Sequence, residues 1–125
     1  MKVRIAVAVA LAGLSVAAVA GAHGGSSSRA PSRLLVSGEE YRIQLSRGAV
    51  KRGLALIQFE NRGQDPHDLR LRRIGGFTTV SFPELRPGGL VQLGTHLRTG
   101  RYRLWCSLPG HAQRGMRAVL SVRRR

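Results

Sequence analysis

From Leu34 onward the apolar residues of the chain alternate with polar ones. Tyr41, Ile43 and Leu45 form one run, Ala55, Ile57 and Phe59 a second, and Leu69 with Leu71 a third. A period of two sends side chains to opposite faces of an extended backbone and predicts β-strands. Thr78 to Phe82, Leu90 to Leu93, Tyr102 to Cys106 and Arg117 to Val122 read the same way, set apart by the turn-prone Pro87-Gly88-Gly89 and Thr99-Gly100. No helical stripe of useful length and no internal repeat occurs in this region. Seven to eight short strands punctuated by Gly and Pro predict an all-β fold, an antiparallel β-sandwich rather than alternating strand and helix units.

The first residues follow a different pattern. Met1 to Arg4 is short and basic, and Ile5 to Ala20 is a run of small and apolar residues that ends in the cleavage-prone Ala18-Val19-Ala20 and Ala20-Gly21-Ala22. This is the pattern of a secretory signal peptide, assigned to residues 1–22. The run is shorter than the roughly 20 residues of a spanning helix, so an uncleaved membrane tether is the weaker reading. Leu14 stands where a lipoprotein signal would carry its modifiable Cys. Residues 23–33, rich in Gly, Ser and Arg, read as a flexible leader, and residues 34–125 as one folded domain of about 100 residues or fewer. The expected location is periplasmic or secreted.

Composition adds two constraints. With 21 Lys and Arg against 6 Asp and Glu, the net charge is +15, and the signal peptide takes away only Lys2 and Arg4. Such a surface seeks acidic partners, here an acidic redox protein or an anionic membrane surface. Export and the lack of an aromatic stacking platform argue against nucleic acid. The chain also holds a single cysteine, Cys106. In an oxidising compartment a lone thiol is an intermolecular disulfide, a buried inert group or a metal-bound thiolate.

The neighbours of Cys106 favour the metal. Trp105-Cys106-Ser107-Leu108-Pro109-Gly110-His111-Ala112-Gln113-Arg114-Gly115-Met116 places a thiol, an imidazole and a thioether at intervals of five residues. One ion can collect all three only if the segment folds back, which Pro109-Gly110 and Gly115 permit. A fourth donor is available in His67, which opens the Leu69–Leu71 strand after the loop Asn61-Arg62-Gly63-Gln64-Asp65-Pro66. Two imidazoles, a thiolate and a distant thioether suit copper cycling between Cu(I) and Cu(II). Zinc sites draw on Cys and His, or on His and carboxylate with an open position, and a methionine fits neither.

These residues resemble the cupredoxin family of small blue-copper proteins over roughly Tyr41 to Val122. The resemblance lies in Phe59-Glu60-Asn61 before the first histidine, His67-Asp68 after Pro66, Gly100-Arg101-Tyr102 ahead of the thiol, and Cys-x4-His-x4-Met, a spacing similar to that of rusticyanin-type members. It implies a Greek-key β-sandwich holding one type 1 copper ion near one end. The implied ligands are His67, Cys106, His111 and Met116, and the implied role is that of a monomeric one-electron carrier, not an enzyme. It further implies an electron port at the edge of His111 among Leu108, Pro109 and Ala112, and a hydrogen-bonded link between Asp68 and the Ser107 region. Arg114 and Arg117 flank Met116 and would steer an acidic partner toward that port.

Two other functions fit the same residues. One is a copper carrier or buffer serving cuproenzyme assembly or copper tolerance. The other is a metal-free basic sandwich module that binds anionic surfaces, with the Cys-His-Met spacing accidental. Catalytic copper is disfavoured because only His23 and His96 remain once His67 and His111 are used, and a binuclear centre would need a second Cys. His96 is expected on a solvated turn spanning Thr95 to Gly100, and Trp105 is expected to serve packing.

Overall fold

The computed structural model describes residues 29–124, and the segment expected to be a signal peptide, most of the expected leader, His23 and Arg125 lie outside the described residues. Nine strands form two packed sheets, with no helix among the described residues. They are β1 (Ser32–Glu39), β2 (Arg42–Leu45), β3 (Ala49–Lys51), β4 (Gly53–Asn61), β5 (His67–Arg73), β6 (Thr79–Leu85), β7 (Leu90–Leu97), β8 (Gly100–Trp105) and β9 (Arg117–Arg123). One sheet runs β2-β1-β4-β7 and the other β3-β9-β8-β5-β6. The chain passes repeatedly from one sheet to the other, in the manner of a Greek-key sandwich. Two pairings, β1 with β4 and β3 with β9, are parallel. They depart from a purely antiparallel sandwich because these strands become neighbours through crossovers rather than hairpins.

Alternation becomes burial on the inner faces. Ala55, Ile57 and Phe59 of β4 face Leu69 and Leu71 of β5, Phe82 of β6, Tyr102 and Leu104 of β8 and Leu120 and Val122 of β9 within one core. The hydrophobic effect acting on this interior fixes the register, since a slip of one residue would expose every member. Tyr102 also closes a corner: its hydroxyl accepts from the Arg98 amide at 2.9 Å and donates to the Arg98 carbonyl at 3.1 Å. These bonds secure the turn from β7 into β8, the strand that leads to Cys106.

Several local expectations are corrected. Ser32 and Arg33 lie in β1 rather than in the 23–33 leader, because Ala55 and Leu56 of β4 offer them ladder partners. Tyr41 is not a strand residue; it sits in the β1–β2 turn with φ of 60°. His96 lies in β7 opposite Leu54, not in a turn, although it is exposed as expected. The short β3 carries too few residues to show a period.

Candidate metal centre

Two loops at one end of the sandwich deliver the candidate ligands. The first joins β4 to β5 and is organised by Asn61, a fully buried polar residue. Its side-chain amide donates to the carbonyls of Asp65 at 2.7 Å and Leu85 at 2.9 Å, and its side-chain oxygen accepts from the Gly63 amide at 2.9 Å. These bonds tie the loop together, and His67 emerges from it buried at the head of β5. The second loop joins β8 to β9. It curls through hydrogen bonds from His111 to the Leu108 carbonyl, from Arg114 to the Gly110 carbonyl and from Met116 to the His111 carbonyl. Cys106 closes it, its amide donating to the Met116 carbonyl at 3.1 Å. Gly110 and Gly115 take the positive φ values this path needs, and a side chain at Gly115 would strike the Tyr41 carbonyl.

The result is a cluster of His67, Cys106 and His111 whose ligand atoms all lie within 4.8 Å of one another. His67 Nδ1 faces His111 Nδ1 at 3.2 Å, and Cys106 Sγ faces His111 Nδ1 at 3.6 Å. Three donors about 2.0–2.3 Å from a common first-row ion in a trigonal array would stand roughly 3.5 Å apart for two nitrogens and roughly 3.7 Å for nitrogen and sulfur. The residues therefore fit a soft or borderline metal ion. Met116 is fully buried at the same end, its amide and carbonyl bonded to His111 and Cys106 and its methyl group close to Gly38.

The surroundings decide which nitrogen of His67 is free. Glu40 Oε1 lies 3.2 Å from His67 Nε2 and accepts from the amides of Gln64 at 2.6 Å and Asp65 at 3.0 Å. The Asp65 and Gln64 amides, with smaller help from His67, lower the Glu40 carboxyl to about 2. A carboxylate there accepts the Nε2 proton, so Nδ1 keeps its lone pair and points it at the cluster. Gly63 makes the contact possible, since a Cβ at that position would overlap Glu40 Oε1.

The next residue of the same turn serves the other histidine. The Tyr41 ring meets His111 edge-on, with centroids 5.7 Å apart at 79°, and the Arg114 guanidinium lies 4.9 Å above the other part of this stack, over the Tyr41 ring. Tyr41 holds its left-handed backbone, costly for a residue with a Cβ, while touching both His111 and the loop arginine. Nothing in the sequence marked Glu40 or Tyr41 as site residues. They stand far upstream of the ligand loops, and only the β1–β2 turn brings them back.

The expected link between Asp68 and Ser107 is present. Asp68 Oδ1 accepts from the Ser107 amide at 2.6 Å, and Oδ2 accepts from the Ser107 hydroxyl and from Arg70. Burial opposes charge on Asp68, but the Ser107 hydrogen bonds outweigh it and hold the carboxyl below its ordinary range. Burial also pushes the Cys106 thiol up, although the backbone amides of Asp68 and Leu108 pull the other way. A cation beside the sulfur is what would make the thiolate the stable form. Around His111, Leu108 and Ala112 are half-buried and Pro109 is exposed.

The sequence matches no protein-family model and no curated protein. Solved structures do share its fold. Dithionite-reduced auracyanin from the photosynthetic bacterium Roseiflexus castenholzii matches with a TM-score of 0.61 at 17% identity, over 76% of this chain and 99% of that one. Auracyanin A, a blue copper protein from Chloroflexus aurantiacus, matches with a TM-score of 0.59 at 17% identity, over 75% of this chain and 100% of that one. A purple cupredoxin from Nitrosopumilus maritimus matches at 0.51 and 15% identity, over 74% and 99%. At these identities the likeness establishes the fold: the chain is a cupredoxin-type β-sandwich.

Proposed function

We propose that this chain is an exported type 1 copper protein that carries single electrons and catalyses no reaction of its own. His67 and His111 through Nδ1 and Cys106 through Sγ would hold the ion, with Met116 as a weak axial ligand. The observation that carries this reading is the spacing of the three donors, 3.2 Å between the imidazole nitrogens and 3.6 Å from sulfur to His111. The similarity of the fold to auracyanin A, a blue copper protein, supports it. The signal-peptide pattern of residues 1–22 supports export.

A bound copper ion would supply the one-electron couple. The protein's contribution is to fix the donors beforehand. Glu40 sets the tautomer of His67, Tyr41 braces His111, and Asp68 ties the Cys106 loop to the His67 strand. Donors held from both loops need little rearrangement when the charge at the site changes, which keeps the barrier to electron transfer low. His111 is half-buried while His67 and Cys106 are buried, so electrons would enter and leave along the His111 edge.

Electron carriage is distinguished from copper delivery by cycling the loaded protein between oxidant and reductant in the presence of a Cu(I) chelator. An electron carrier keeps its copper and its visible spectrum through repeated cycles. Stoichiometric loss of copper to the chelator on the first reduction would overturn the electron-carrier reading and favour a copper carrier.

A further inference from the structure

The solvent face of the five-stranded sheet carries a charge arrangement that the metal centre does not use. Residues paired across strands share a face, and the register aligns Arg70, Trp105 and Arg117 in one row across β5, β8 and β9. The next row pairs Arg72 with Arg103, and Arg101 follows two residues further along β8. Arg72, Arg101, Arg103 and Arg117 are all exposed. On the far side of β9, Arg123 pairs with Lys51 of β3.

Two of these cross-strand pairs, Arg72 with Arg103 and Lys51 with Arg123, set like charges directly opposite, an arrangement that destabilises a sheet. The other sheet does the reverse, pairing Glu39 with Arg42 in a salt bridge. Among the described residues, the only acidic side chain that bridges to an arginine of this face is Asp68, which binds Arg70 and is already bonded to Ser107. Repulsion of this kind, left without an internal counter-charge, is relieved when a ligand supplies the negative charge.

Shape narrows the ligand. Arg72, Arg103 and Arg117 line a concavity of about 520 Å³ with Trp105, Ala112 and Gln113. The Arg72 guanidinium lies 5.6 Å from the Trp105 ring centroid, which orients its fork. A concave cluster of guanidiniums takes a protruding carboxylate in bidentate fashion, whereas a bilayer surface would meet the rims only. We infer that this face is a docking surface for an acidic protein segment, with Arg72, Arg103 and Arg117 receiving its carboxylates. The inference does not rest on the metal reading, since none of these arginines belongs to the proposed ligand set. It places the partner beside Trp105, the residue before Cys106, in a concavity that reaches Ala112 next to His111.

Trp105 is the only tryptophan of the chain, so its fluorescence reports the occupancy of the concavity directly. The test titrates the purified chain with poly-L-glutamate and, in parallel, with vesicles of phosphatidylglycerol and phosphatidylcholine. It uses the wild type, the triple variant R72E/R103E/R117E and an equally charged control, R33E/R47E/R86E. Poly-L-glutamate is expected to shift Trp105 emission in the wild type and the control, with affinity falling about tenfold or more in the face variant only. The milder variant Arg103→Gln is expected to weaken binding without lowering the melting temperature, because it removes the repulsion against Arg72. Equal losses in the two triple variants would overturn the inference by reducing it to net charge. So would a response to vesicles with none to poly-L-glutamate, or a lower melting temperature in Arg103→Gln with binding unchanged.

Discussion

Glu40 and His67 stand 27 residues apart in the sequence, yet Glu40 Oε1 lies 3.2 Å from His67 Nε2. The same oxygen accepts the Gln64 and Asp65 amides, so one carboxylate both shapes the loop before His67 and fixes the proton on its outer nitrogen. Replacing Glu40 with Ala removes both functions while leaving every proposed ligand in place. Copper affinity should fall by about 10- to 100-fold, as measured by competition against a chelator of known affinity. Unchanged affinity would mean that the ring is held by packing alone.

Gly63 and Glu40 should behave as one unit. A Cβ at position 63 would overlap Glu40 Oε1, so Gly63→Ala must shift the carboxylate from its place. In a double-mutant cycle, Gly63→Ala combined with Glu40→Ala should bind copper no more weakly than the worse single variant. Additive losses would show that Gly63 acts through something other than Glu40.

The same carboxylate gives the metal-free protein a specific acid response. Its folded value of about 2 lies below the ordinary 4.5, so its stabilisation is complete above the ordinary value and is lost as the pH falls toward about 2. Wild type and Glu40→Gln should differ in unfolding free energy at pH 6 and converge near pH 2 in urea titrations. A difference that does not change with pH would assign the effect to shape rather than charge.

Asp68 ties the Cys106 loop to β5 through Ser107. Asp68→Ala leaves the Ser107 amide without its acceptor in a partly buried setting and should cost about 1–3 kcal/mol, seen as a lower urea midpoint at constant m-value. Asp68→Asn retains one acceptor and should cost less. Equal costs for the two variants would contradict a hydrogen-bonding role.

Much of this architecture was readable from the chain because burial and strand period coincide. The runs at Ala55 to Phe59, Leu69 to Leu71 and Arg117 to Val122 alternate since one face of each is buried and the other is wet. β1 gave no such signal. It lies between β2 and β4, and Val36, Ser37 and Gly38 are buried in succession, so the second half of the strand has no wet face to mark a period. Among the candidate ligands, Cys106, His111 and Met116 stood out because a single loop carries them, and His67 because Pro66 and a strand frame it. Glu40, Tyr41 and the role of Asn61 were not, because each acts through a contact with a distant loop that only the folded topology creates.

The most direct test of the proposed metal centre is the visible absorption spectrum of the purified protein after one equivalent of Cu(II), recorded beside the variant Cys106→Ala. A type 1 site predicts an intense blue or green band from thiolate-to-copper charge transfer, saturating at one copper per chain and absent from the variant. A colourless wild-type protein, or a spectrum shared by the two proteins, would contradict ligation by Cys106 and with it the proposed site.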